Sequence, residues 1–508
     1  MTPMHFPNTR STRAILLLSA LAVAAAALPA QAPQGQPRRL SLEDAIRTAE
    51  SQSSTISLAR AGVSRASAQE LQASSQYLPQ VNANAGYTRA LKSQFQGLSF
   101  GGGGPDTGKS STSTTDLTKV GFGAANQYVL GLQLSQNLFT FGRLTGQRAA
   151  AQAGRNVADI ELTAQRAQLA LDVTQNYYDA VLADRLAAIA ESSLAQTDDV
   201  LRQTKVARQV GNESEFNLLR AQVTRDNQVP VLLQARSNRD VALLRLKQLL
   251  EIPLDEAVEL TTKIEEAPVP DLSGIASASA PDTSADHRAA VREAMENVRA
   301  QEAQLRVVRS GRYPALSFTS SYQRLYFPSS PLPAYNDYRQ NWTVGLAAQM
   351  PVFTGGRVRS DELIAEASVQ EAKSRAQQAR QVASLDARIA LKQLAQAEAA
   401  WKASAGTAEQ AQKAYAIDQI RYSEGISTQT DLSQSRLLLE QATVNRAQAA
   451  RDLAVARSRL ALLRDLPLQQ GGVTAPNNSQ SPQQTQRQPQ RAAQPAAGVP
   501  GQPGGVTP

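Results

Sequence analysis

One stretch of the chain has the spacing of a phosphate-binding loop. Gly103-Gly104-Pro105-Asp106-Thr107-Gly108-Lys109-Ser110 satisfies G-x-x-x-x-G-K-S. In that motif backbone N–H groups and a helix N-terminus cradle phosphate, so a strand must precede it and a helix must open at the lysine. Here the Ser/Thr-rich run from Ser111 to Thr118 follows, without helical periodicity, and the segment reads as a surface loop. The two histidines offer no other chemistry, because His5 lies near the start of the chain and His287 stands alone near a helix start. The chain has no cysteine. A histidine metal site, a hydrolytic triad and a thiolate centre are therefore not assembled. The carboxylates lie on long helical stretches at spacings suited to solvation and ion pairing. No catalytic residue, cofactor or metal ligand is assigned, and the chain reads as something other than an enzyme.

The elements that would carry a function are long helices and short two-faced strands. At 508 residues with sparse aromatics and abundant Ala, Gln, Arg and Ser, the composition suits helices packed through small side chains. Arg10 and Arg13 precede an apolar run from Ala14 to Leu28, too short to span a bilayer, so residues 1–32 read as a secretory signal peptide. The mature chain is expected to begin between Gln31 and Gln34. The formal charge of +8 could mark nucleic acid or an anionic membrane as partner, but the basic residues are interspersed with Glu and Asp. That is the pattern of a solvated helix face, and no nucleic acid is expected. No later apolar run reaches the length of a transmembrane helix, so a membrane-spanning mature chain would have to be a β-barrel.

The chain is written twice. Leu132 to Arg143 corresponds to Leu346 to Arg357, and the same offset carries Gly211 onto Gly425, Leu218 onto Leu432, Leu246 onto Leu460 and Pro253 onto Pro467. Upstream, Tyr77-Leu78-Pro79 matches Arg312-Tyr313-Pro314 at a larger offset, the extra residues falling between Leu91 and Asn126. Each copy reads helix, strand, loop, strand, long helix, turn, long helix. The first copy spans 40–253 and the second 285–467, with a linker at 254–284 and a Gln/Pro/Gly-rich tail at 468–508 expected to be disordered.

The first helix is expected from Leu42 to Gln76, capped by Ser41. Val81 to Arg89 and Tyr128 to Gln136 alternate apolar with small or polar residues, as do Leu316 to Tyr322 and Trp342 to Leu346. Four strands of about nine residues with one apolar face carry the signature of a transmembrane barrel, although a soluble sandwich would share it. The helices decide between them. Leu144 to Arg208 holds no proline, and Val358 to Tyr422 is its copy. Each would run about 100 Å, which requires a coiled-coil-like array of neighbours. Val173, Tyr177, Ala180, Ala187, Leu194 and Leu201 keep the spacing of the seam. Gly211 and Gly425 supply the reversals. Pro230, matched by Val444, is expected to kink the first descending helix.

This tandem arrangement, with Leu40-Ser41-Leu42-Glu43-Asp44-Ala45 at its start and Tyr422-Ser423-Glu424-Gly425 with Asp431 in its second half, resembles the TolC family of outer-membrane efflux proteins. The resemblance implies an α+β membrane protein: a homotrimer whose four strands per chain close a 12-stranded β-barrel, continued by a long α-helical barrel. It implies an outer-membrane location extending into the periplasm, contact with outer-membrane lipid, and two protein partners, a periplasmic adaptor and an inner-membrane transporter. The function implied is a passive exit duct of an efflux pump or type I secretion system; a soluble periplasmic coiled-coil scaffold is the alternative. Leu91 to Asn126 and Phe327 to Asn341 become loops outside the cell. Val210, Gly211 and Asn212, with Glu424, Gly425 and Ile426, become the periplasmic tip that docks the adaptor. The family narrows its tunnel near that tip, at positions held here by Tyr422, Asp431 and Gln434, with Asn217 in the first copy and Ser427 where a basic residue would tie the helices. Asp431 would form a ring of three carboxylates; the other reading is a helix cap.

Overall fold

Ser41 caps the first helix, its Oγ accepting the Asp44 N–H at 3.1 Å. The computed structural model describes residues 38–92, 124–262, 264, 283–328 and 338–468. The segment expected to be a signal peptide, the Gly103–Ser110 motif, most of both loops joining strands, much of the expected linker and the expected tail from residue 469 lie outside them.

In chain order the elements are β1 (Arg38–Leu40), α1 (Leu42–Gln52), α2 (Ser54–Ser75), β2 (Gln80–Arg89), β3 (Asn126–Phe139), α3 (Arg143–Gln209) and α4 (Glu215–Leu249). Then follow β4 (Val258–Leu260), α5 (Ala289–Ser310), β5 (Ala315–Tyr326), β6 (Arg339–Gln349), α6 (Arg357–Ser423) and α7 (Gln429–Leu462). Helices α3 and α6 are 67 residues each, about 100 Å at 1.5 Å per residue. Each starts behind a left-handed glycine, Gly142 (φ 93°) or Gly356 (φ 88°).

The first helix is two helices. Ser53 adopts φ −58° and ψ 124°, and the Ser54 N–H donates to Glu251 Oε1 at 2.8 Å instead of continuing the ladder. That bond, from the backbone N–H of Ser54, is the main reason the Glu251 carboxyl sits below its ordinary range. The segment expected to be a linker is also partly ordered, because Val258–Leu260 pairs in parallel with Arg38–Leu40. Helix α4 continues through Pro230, which is exposed, so water can reach the Asp226 carbonyl that loses its helical donor.

The core lies at mid-height of α3. Val173, Tyr177 and Ala180 are fully buried against Leu40, Ile46, Ile56, Leu246, Leu250 and Leu462. Each large apolar side chain buried there contributes about 1.5–3 kcal/mol. Tyr177 Oη donates to Leu40 O at 3.0 Å and lies 2.9 Å from Thr262 Oγ1, tying the small parallel sheet to the helix. The seam expected along α3 holds through Ala187 and then changes, since Leu194 and Leu201 are only half-buried while Ser193, Thr197 and Thr204 are buried. Small hydroxyl residues fit close helix contacts when they can satisfy themselves. Thr197 and Thr204 donate to their own helix carbonyls, Leu194 O and Val200 O, at 2.8 Å.

Gly146 sits where α3 meets α5, and a Cβ there would lie 2.7 Å from Val307 Cγ2 and 2.9 Å from Ala303 O. Gly146→Val is therefore expected to cost about 1–3 kcal/mol by overpacking. A lowered thermal midpoint should report it, while Gly154→Val, with open space at its Cβ position, should leave the midpoint unchanged.

Candidate functional site

Strands β2, β3, β5 and β6 form one antiparallel sheet in that order. Its register places like with like. Val81 lies opposite Leu134, Ala83 opposite Leu132 and Ala85 opposite Leu130, and Leu132 continues to Tyr322 and Trp342. The other face carries Asn82 opposite Gln133, then Ser321 and Thr343. One face is therefore mostly apolar across the four strands, interrupted by Ser320, Arg324 and Gln340, and the other is mostly polar. The apolar face lies open: Leu130, Leu132, Val344 and Leu346 are more than half exposed, and Trp342 is 72% exposed. A mostly apolar surface of that kind marks contact with lipid or another protein.

Two aromatic rows bound this face. At the end away from the helices Tyr87, Tyr128, Tyr326 and Tyr338 stand side by side, with centroid separations of 4.7, 6.3 and 5.1 Å. At the helix end Phe141 meets Phe139 edge-on at 4.4 Å and stacks on Tyr313 at 5.0 Å. From Tyr128 to Phe139 the strand runs about 37 Å, or about 28 Å along the normal of a sheet tilted by 40°, which is the height of a membrane band between aromatic girdles. No helix among the described residues is long and apolar enough to cross a membrane.

All four strand-to-helix crossings lie at one end of the sheet, and α3 and α6 leave from there. At their far ends the chain reverses twice in the same way. Gly211 (φ 81°) and Gly425 (φ 71°) are left-handed, and the N–H groups of Asn212 and Ile426 reach back to Ala207 O and Arg421 O, each at 2.8 Å. This is the Schellman ending, which glycine adopts without a Cβ penalty. Val210 and Ile426 are exposed beside it, as is Glu424. Ser214 and Thr428 then cap α4 and α7, accepting from Asn217 N at 3.2 Å and Asp431 N at 3.3 Å. Asn217 and Asp431 are thus the same position of the two halves.

The residues expected at the constriction do converge on this end, with partners the sequence did not disclose. Tyr422 Oη lies 3.2 Å from Thr204 Oγ1, bridging α6 to α3. Asn217 Nδ2 donates to Glu213 Oε2 at 2.7 Å. Buried Gln429, with its amide oriented to donate to Asn217 O, joins α7 to α4, and Arg220 Nη1 donates to Thr430 Oγ1 at 2.6 Å. Gln434 is exposed one turn beyond Asp431, and the Ser427 Oγ is buried without a partner among the described residues. Asp431 completes a capping box, its Oδ2 accepting the Thr428 hydroxyl at 2.7 Å and the Thr428 N–H at 3.0 Å. Those two bonds, the hydroxyl first, hold its carboxyl below the usual aspartate value, and nearby Arg421 adds to the effect. The cap is present in the single chain. Repulsion within a ring of Asp431 carboxylates, which would raise this value, would require further copies of the chain.

Nodulation protein T of Rhizobium leguminosarum bv. viciae is 23% identical over 360 residues, covering 69% of this chain and 72% of that protein. A membrane protein from Pseudomonas aeruginosa superposes with a TM-score of 0.67 at 19% identity, over 84% of this chain and 93% of that one. The open-state MtrE outer membrane channel of Neisseria gonorrhoeae gives 0.66 at 18%, over 85% and 91%. At such identities the likeness is one of fold. The family model described as outer membrane efflux protein matches residues 45–251 and 280–464. With most of its length matched, the chain belongs to the outer membrane efflux protein family.

Proposed function

We propose that three copies of this chain close one 12-stranded barrel through the outer membrane and continue it as a helical tunnel through the periplasm. As an outer membrane efflux protein the chain is an outer-membrane channel, and its family is one of conduits rather than of enzymes. The observation that carries the trimeric reading is the four-stranded sheet itself. Its apolar face is uncovered, and its outer strands, Gln80–Arg89 and Arg339–Gln349, have no neighbour on their outer edges among the described residues. An open sheet in lipid would leave those backbone groups unpaired, which only closure into a barrel relieves. The two 67-residue helices starting behind equivalent glycines support an origin by internal duplication. Repeats at 40–253 and 285–467 are the corresponding domains, with residues 1–32 as the export signal.

In this reading the reversals at Val210-Gly211-Asn212 and Glu424-Gly425-Ile426 meet a periplasmic adaptor, which couples the duct to an inner-membrane transporter. Gly211→Trp combined with Gly425→Trp forces a bulky L-residue into left-handed backbone at both reversals. Cells carrying the variant should lose export of the cargo while heat-resistant trimers persist in the outer-membrane fraction. Normal export would remove the docking role. A wild-type chain recovered only as soluble monomer would remove the channel and favour a periplasmic scaffold.

A further inference from the structure

Below the Phe139–Phe141–Tyr313 row the adjoining ends of the helices carry an excess of arginine. Arg143 and Arg148 open α3, and no carboxylate occurs between Phe139 and Asp159. Arg306 and Arg309 lie in the last turn of α5 and Arg312 just beyond it, and Arg357 and Arg359 open α6. Against these seven stand Asp361, Glu362 and Glu366. Arg357 pairs with Asp361 at 3.3 Å, Arg309 with Glu362 at 3.0 Å and Glu366 at 2.8 Å, and Arg312 also with Glu362. Arg143, Arg148, Arg306 and Arg359 are exposed and have no carboxylate within reach among the described residues. Immediately toward the sheet, Val352 and Phe353 are 94% and 91% exposed, and Leu78 and Met350 are more than half exposed.

We infer that this arginine ledge binds the phosphate headgroups of anionic glycerophospholipids in the periplasmic leaflet, with the acyl chains against the apolar row above it. The inference rests on the sheet spanning the outer membrane. Several arginines without counter-charge, on helices that leave a bilayer-height apolar band, make a surface complementary to a layer of phosphates. Arginine forks donate to two phosphate oxygens at once, and their long stems reach along the helix to headgroup level. Each basic residue near an anionic surface favours the charged lipid by up to about fivefold.

The test compares spin-labelled phosphatidylglycerol and phosphatidylcholine at the protein boundary, with the trimer reconstituted in phosphatidylcholine bilayers. Phosphatidylglycerol should associate more strongly by roughly two- to fivefold, with the preference falling at high salt. Arg143→Glu with Arg359→Glu should abolish the preference. Arg388→Glu makes the same charge change at an exposed arginine about 45 Å farther along α6 and should keep it. Equal association of the two lipids with wild type, or a preference that survives the double variant, would overturn the ledge. Stronger association of lipid A phosphates than of phosphatidylglycerol would overturn the assignment to glycerophospholipid. Absence of any motionally restricted lipid would overturn the membrane-spanning reading as well.

Discussion

Asp386→Ala is expected to destabilise the folded chain by about 3–5 kcal/mol, because it strands buried positive charge. Arg288 is fully buried and donates through Nη2 to Asp386 Oδ2 at 2.6 Å, while Arg459 Nη2 donates to Asp386 Oδ1 at 2.9 Å. One carboxylate, itself 7% exposed, thus joins the residue that caps α5, the middle of α6 and the last turn of α7. Burial lowers the Arg288 pKa, and the bond to Asp386 works against that fall. Without the carboxylate nothing does. Among the described residues the Arg288 Nε and Nη1 already lack partners, so none of them offers a further acceptor. Arg288→Met combined with Asp386→Leu should cost much less than Asp386→Ala alone, since it removes the pair and leaves Arg459 bonded to Gln393 at 3.0 Å. Thermal unfolding of the detergent-solubilised protein measures both. A single variant within about 0.5 kcal/mol of wild type would mean that the cluster is solvated in the assembled protein.

That cluster also shows where the sequence stops being informative. The carboxylates of the long helices read as solvated faces, and most are. Nothing local distinguishes Asp386 from them, because its burial depends on Arg288 and Arg459, distant in sequence. The same applies to the break at Ser53, produced by Glu251, and to the parallel pairing of Arg38–Leu40 with Val258–Leu260. Features set by local backbone chemistry were legible. Left-handed Gly211 and Gly425, the proline-free 67-residue helices and the alternation in four strands all follow from residue type and period. Strand ends were read too short, since β3 continues from Asn126 to Phe139 through a register shift near Asn137 that alternation alone does not reveal. At the far tip Asp431 was legible as a candidate, and its cap with Thr428 is a local contact three residues away, but the Tyr422–Thr204 bridge required the packing of two halves that the offset relates only in sequence.

If the proposed trimer forms a ring of Asp431 carboxylates, Asp431→Asn is expected to remove cation block and most cation preference from the channel in planar bilayers while leaving the assembly intact. The substitution separates two roles that alanine confounds. Asn retains an oxygen that can accept the Thr428 N–H, so the cap survives, but it carries no charge. Three Asp431 carboxylates around a threefold axis would draw multivalent cations into the constriction, and their loss should weaken the block by roughly tenfold or more. The pH dependence has a definite sign. Thr428 and Arg421 lower the Asp431 pKa in the folded chain, so the cap's stabilisation is fully present above the unfolded aspartate value of about 3.9 and is lost as pH falls through the folded value. Mutual repulsion in a ring raises the same pKa. If the capping bonds dominate, block persists down to about pH 4 and fades only below it; if repulsion dominates, it fades at higher pH. Gln434, uncharged one turn on, adds nothing to either curve, which leaves Asp431 as the charge to test. Unchanged block and selectivity in Asp431→Asn would show that no ring exists, leaving Asp431 with the capping role seen in the single chain.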